Sequence, residues 1–127
     1  MTFDGDAFMK KFLDVWNAHD IDAITAMMTP DCVFEPSFVF GVLTEPGGLV
    51  YSGLQEVRRG LEKNFREIPD LSWDEIRHFV CPDHAVVEWI TKGTPRGGKA
   101  FTVQGCDILM LRDGKIWAKR SYRKATV

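Results

Sequence analysis

The chain has 127 residues, 45% hydrophobic, 12% aromatic and 27% charged, a balance that fits one globular domain over residues 1–127 and excludes a disordered or fibrous chain. Sixteen Lys and Arg against eighteen Asp and Glu leave a formal charge of -2 without any basic block, so nucleic acid is not an expected partner. Apolar runs such as residues 38–40 and 108–111 fall far short of the ~20 residues of a spanning helix, so no membrane crossing is expected.

Asp4 and Asp6 stand where a secretory signal would carry Lys or Arg ahead of an apolar stretch, which points to a cytoplasmic address. Asp4 caps a helix whose apolar positions Phe8, Phe12, Val15 and Trp16 recur at three and four, and which ends near His19. Asp20 caps a shorter helix with Ile24, Met27 and Met28, closed by Pro30. Residues 32–40 read as a strand, and residues 41–52, apolar around Glu45-Pro46-Gly47-Gly48, as a flap at a pocket mouth or dimer edge. From Gly53 a third helix carries Leu54, Val57, Leu61, Phe65 and Ile68 on one stripe until Pro69 stops it. Residues 71–80, 85–92, 100–111 and 115–123 then alternate as strands of a meander, separated by Pro82-Asp83, Gly97-Gly98 and Asp113-Gly114. Three helices followed by such a sheet predict an α+β domain in which a curved sheet wraps the long helix.

A turn centred on Pro82-Asp83 sets Arg77 opposite Glu88 and His78 opposite Val87, with Glu75, Arg77, Glu88 and Lys92 on one face and His78 on the inner one. A three-residue loop at Arg112-Asp113-Gly114 with a bulge sets Lys119 opposite Asp107, Leu109 opposite Trp117 and Gly105 opposite Ser121; a two-residue loop sets Arg120 there instead. Either way a cation faces Asp107. Cys32, Cys81 and Cys106 lack paired spacing and read as reduced, mostly buried thiols. His19, His78 and His84 lack metal-ligand spacing, and no glycine-rich phosphate loop or nucleophile elbow is present, so neither metal nor cofactor is expected.

Three phrases together resemble the SnoaL-like branch of the nuclear transport factor 2 superfamily, which also holds ketosteroid isomerases and polyketide cyclases. They are Trp16-Asn17-Ala18-His19-Asp20 with Asp22-Ala23, then Pro30-Asp31-Cys32-Val33-Phe34-Glu35, then Gly105-Cys106-Asp107 followed by Leu111-Arg112-Asp113-Gly114-Lys115-Ile116. The resemblance covers nearly the whole chain. It implies a cystatin-like α+β fold, with a cone-shaped antiparallel or mixed sheet around three helices of the N-terminal half, a pocket at its concave face, and a homodimer through the sheet. Asp107 matches the position where ketosteroid isomerases hold a protonated oxyanion-hole aspartate. Their helix tyrosine is replaced by Phe12 and their catalytic aspartate by Pro36, with Glu35 one residue earlier, which points away from the steroid isomerase mechanism. Ser121 stands near the last-strand acid of SnoaL-like cyclases, and Gly105 stands where limonene epoxide hydrolases carry an arginine.

The expected chemistry is proton transfer on a small apolar substrate, with Asp107 as shuttle, Lys119 tuning it, and His78 or Glu35 as a second acid or base. An adjacent ammonium favours the carboxylate, so Asp107 acts as a base suited to an aldol-type cyclisation, dehydration or isomerisation. Trp16, Phe12, Trp89, Trp117, Ser121 and Tyr51 are expected to bind the substrate. In the alternative, Asp107 and Lys119 form a structural ion pair, Glu35 is a solvated strand-end charge, His78 is a core histidine, and the domain is a non-catalytic ligand-binding or dimeric interaction module. Ile108, Met110 and Tyr122 alternate away from the inner positions and form the apolar patch expected to pair two copies.

Overall fold

The computed structural model describes residues 2–41 and 45–127; Val42 and Leu43 of the expected flap lie outside them. Helix α1 spans Gly5–Asn17, capped by the Asp4 carboxylate accepting from the Ala7 N–H at 3.1 Å, and buries Phe8, Met9, Phe12 and Trp16 on one stripe. Helix α2, Ile21–Ala26, is capped in the same way by Asp20 on Ala23. Helix α3, Gly53–Glu67, buries Val57 and Leu61 and turns Gly60 to the Tyr51 ring, which a β-carbon would strike.

Among the described residues, six strands follow the order β2-β1-β6-β5-β4-β3 in one sheet: β1 (Met28–Glu35), β2 (Tyr51–Ser52), β3 (Ser72–Val80), β4 (His84–Gly93), β5 (Phe101–Arg112) and β6 (Lys115–Arg123). Only β1 and β6 run parallel. The sheet is curved but unclosed, with β2 and β3 as separate edges, so it is not a complete cone. The first strand is displaced from the expected 32–40. It begins at Met28, directly after α2, and stops at Glu35, because Pro36 has no N–H to continue the ladder.

The inner face carries Ala85, Val87, Trp89, Leu109, Leu111 and Ile116, all buried against α1 and α3. At ~25 cal/mol per Å² of apolar surface, each fully buried Val, Leu or Ile among them contributes roughly 1.5–3 kcal/mol. Of the three free thiols only Cys32 is buried, and burial raises its pKa; Cys81 is exposed and Cys106 half-buried, which corrects the expectation that most are interior.

Two bulges correct the expected registers. In the β3–β4 hairpin, Arg77 pairs with Glu88 and His78 with Val87 as the turn dictates, but a bulge at Ile76 sets Glu75 opposite Trp89. Glu75 thereby crosses to the face of His78 and away from Arg77. In the last hairpin Asp113 and Gly114 both have positive φ (52° and 76°), the mirror-image turn that an Asp-Gly pair favours, so the loop has two residues and Arg112 pairs with Lys115. A bulge at Trp117 then adds one residue, and Asp107 meets Ser121, not Lys119 or Arg120; Leu109 meets Lys119, and Gly105 meets Arg123.

Candidate functional site

Three side chains on the inner face of β5 and β6 form a buried relay. Asp107 and Lys119 are each only 3% exposed. Ser121 stands directly across from Asp107 and donates its hydroxyl to Oδ1 at 2.5 Å, while the Lys119 ammonium donates to Ser121 Oγ at 2.7 Å and lies 3.3 Å from the same carboxylate oxygen. Lys119 is therefore a diagonal neighbour of Asp107, bridged by the hydroxyl. Its ammonium also lies 4.3 Å from the centre of the Trp16 ring and 4.7 Å from that of Phe34, where the negative ring faces favour the cation. Burial still pulls the Lys119 pKa below the usual ammonium range, opposed by Asp107.

Trp16 is the centre of the wall above the relay. Phe12, Phe34, Phe65 and Trp73 surround it with ring centroids 5.6–6.2 Å away, the last three edge-on. Beneath this wall is a cavity of about 20 Å³, bounded by Trp16, Trp89, Lys119 and Ser121 and by the residues 36–38 that follow β1. That volume holds about one water-sized group. Residues 36–38 and Ser121 also border a wider cleft of about 430 Å³ that runs between residues 46–48 and the end of β6. Ser121 thus stands between the cleft and the buried carboxylate, and Asp107 itself borders neither space.

The other expected site residues are dispersed. Glu35 pairs with Arg120 at 2.8 Å, next in register to the inward Phe34–Lys119 pair and so on the opposite face of the sheet from Asp107, yet Glu35 and Arg120 both border the 430 Å³ cleft at the end of β1. His78 shares the row of Val87 and Asp107 on the inner face, but lies two strands, roughly 10 Å, from Asp107. It bonds Asp6 at the start of α1 at 2.7 Å and Glu75 at 2.9 Å, so it ties helix to sheet at the rim. Tyr51 stacks on Phe34, and Phe12 supports Trp16 from behind. Trp117, expected in the wall, is the bulged residue under the Arg112 guanidinium and does not border the cavity. The cavity is instead completed by Phe34, Phe65, Trp73, Asn64 and Thr91, none of them named as site residues by sequence reasoning. Residue 73 pairs with Thr91 on the buried face of β4 only because of the Ile76 bulge; unbroken alternation sets it on the outer face with Arg77, so no local signal marks it.

The clamp on His78 predicts a pH dependence. Bonds from Asp6 and then Glu75 raise the His78 pKa above its ordinary value, so the stabilisation is complete below about pH 6.5 and is lost as pH rises through the folded-state pKa. Because Asp6 is solvent-exposed, the contribution is on the order of 1 kcal/mol or less. His78→Gln should therefore destabilise measurably at pH 5.5 and have little effect at pH 8.5 in thermal unfolding; an equal loss at both values would remove the charged clamp.

Residues 9–119 match the sequence pattern of the SnoaL-like domain. No curated protein matches the chain in sequence. Among solved structures, a protein of unknown function with a cystatin-like fold from Xanthomonas campestris superposes with a TM-score of 0.79 at 16% identity, over 97% of this chain and 92% of that one. A candidate polyketide cyclase from Xanthomonas campestris pv. campestris gives 0.77 at 15% identity, over 94% and 89%. A ketosteroid isomerase-like fold from Catenulispora acidiphila, in complex with trimethylamine, gives 0.76 at 14% identity, over 94% and 86%. At these identities the likeness is one of fold. No helix among the described residues is long and apolar enough to cross a membrane.

Proposed function

The chain belongs to the SnoaL-like domain family, and from that premise we propose that it is a small-molecule pocket protein performing acid–base chemistry on a small apolar substrate, as a lyase, isomerase or cyclase without a cofactor. The observation that carries this reading is the relay Asp107···Ser121···Lys119, whose hydroxyl stands at the wall shared by the cavity and the cleft. In this mechanism a proton taken from substrate by Ser121 Oγ passes as the hydroxyl proton moves to Asp107, and Lys119 holds the hydroxyl oriented and balances the carboxylate. His78 lies two strands from the relay and is held by Asp6 and Glu75, so the second acid or base, where one is needed, is Lys119 at the cavity or Glu35, which borders the cleft beside Ser121. The trimethylamine bound by a protein of similar fold is consistent with a pocket scaled to small molecules.

The test is deuterium incorporation beside the carbonyl of a panel of aryl ketones in D₂O. Asp107→Asn should lower the exchange rate by ~10²- to 10⁴-fold, the range typical of a lost acid or base. No exchange by the wild type above buffer, or an unchanged rate in the variant, would defeat the catalytic reading. The second reading, a ligand-binding module without turnover, is favoured by one observation: the interior space has room for about one water, and Asp107 does not border it. That reading expects binding without exchange.

We also propose a homodimer through the outer face of β4–β6. Val86, Ile108 and Met110 are only half-buried there and Tyr122 is 54% exposed, a patch that a second copy would cover. Light scattering at micromolar concentration should give twice the monomer mass; a monomer mass rejects the dimer.

A further inference from the structure

Trp89 is 1% exposed on the inner face of β4, and its indole Nε1–H is buried with no acceptor among the described residues. A buried donor left unpaired costs on the same scale as a broken hydrogen bond, so native interiors rarely keep one. The same residue borders the 20 Å³ cavity, where three polar neighbours already hold partners: the Thr91 hydroxyl donates to the Ser72 carbonyl, and Ser121 and Lys119 are engaged with each other and with Asp107. The rest of the wall is mainly aromatic and aliphatic, with the Ser37 and Asn64 side chains as its remaining polar groups. Resting on the pocket reading above, we infer that Trp89 Nε1–H is a ligand-binding donor, and that it takes an uncharged carbonyl oxygen at the end of an otherwise apolar ligand.

Size and polarity single out this ligand class. The cavity admits about one oxygen-sized group, and residues 36–38 with Ser121 join its wall to that of the 430 Å³ cleft, so the ligand's body lies in the cleft and only its tip reaches Trp89. A carbonyl oxygen needs donors alone, and its apolar body covers aromatic wall. A water fits the same space but covers none of the aromatic wall. A carboxylate would enter an apolar wall beside an ammonium that Asp107 already neutralises, so its charge would be buried without a free partner. Gly105 lies opposite Trp89, and a β-carbon there would strike the Tyr122 carbonyl oxygen and stand 2.7 Å from the outer ring edge, so the bare backbone admits both the neighbouring strand and the ring over β5.

The experiment follows the indole N–H resonances of ¹⁵N-labelled protein, with Trp89 assigned by loss of its signal in Trp89→Phe, during titration with 2-acetylnaphthalene and with 2-ethylnaphthalene, which lacks the oxygen. The inference expects a downfield shift of the Trp89 N–H with the ketone only, and a roughly threefold to tenfold weaker ketone affinity in Trp89→Phe with the hydrocarbon's affinity unchanged. Equal shifts with both probes overturn it, as does a Trp89 N–H that contacts a resident water neither probe displaces. Should Trp89→Phe fail to fold, the Trp89 signal is assigned by elimination from Trp16→Phe, Trp73→Phe and Trp117→Phe, and the wild-type titration then decides. The two proposals separate cleanly: a ketone that shifts Trp89 but exchanges no deuterium sinks the proton-transfer reading and leaves this one standing, whereas exchange without a Trp89 shift does the reverse.

Discussion

Asp107→Asn should lower the free energy of unfolding by about 3 kcal/mol near neutral pH, and adding Lys119→Met should restore most of it. The asparagine keeps the shape of the carboxylate and can still accept from Ser121, but it leaves the Lys119 ammonium buried at 3% exposure without its counter-charge. The Trp16 and Phe34 faces compensate in part, since a desolvated cation–π contact is worth up to about 2 kcal/mol, less than an opposite charge. Replacing both members with uncharged groups removes the stranded cation. The deficit should also depend on pH in a set direction. In Asp107→Asn the depressed lysine pKa, already lowered by burial, loses its opposing partner; above that pKa the folded state binds fewer protons than the unfolded one, so stability rises with pH. Urea unfolding of the single and double variants at pH 7 and pH 9.5 measures all three statements, and a double variant no more stable than the single would dissolve the pair.

The second large effect belongs to Trp16. Trp16→Ala should cost about 3–5 kcal/mol, the range for truncating a buried large aromatic, because the indole is 4% exposed and touches four other rings as well as the relay ammonium. Trp16→Phe, which keeps a ring over Lys119 but leaves a smaller void, should cost markedly less. A loss under 1 kcal/mol for the alanine variant in the same urea assay would mean that the wall closes without its central ring. The expected order also separates packing from the cation contact, since Trp16→Leu fills much of the volume with no π face.

How far the sequence could be read depended on whether the deciding signal was local. Asp4, Asp20 and the 3.6-residue stripes fix the helices within a few residues, and Pro82-Asp83 fixes Arg77 opposite Glu88, because caps, stripes and tight turns act over neighbouring positions. The bulges at Ile76 and Trp117 have no side-chain signature of that kind; they are backbone accommodations to sheet curvature, and each shifted an assignment by one residue. Asp107 and Lys119 were therefore legible as neighbours while Ser121, the residue directly opposite, was assigned to Gly105. The placement of Glu35 depended on the same parity across the β1–β6 pair, and that of Trp73 and Asn64 on chain segments far apart in sequence meeting at one wall.

The extra residue at Trp117 works as a reading frame for side chains. Without it, the two-residue turn would carry its register unbroken along β6, so that Arg120 stood inside opposite Asp107 while Lys119 and Ser121 pointed to solvent. The interior chemistry of this domain is thus encoded by a count as much as by residue identity. Point substitutions along β6 adjust the relay one group at a time, whereas the gain or loss of a single residue between Gly114 and Lys119 exchanges its two faces wholesale. Such a step would trade a lysine–serine interior for an arginine–tyrosine one in a single event, leaving the helices and the other five strands untouched.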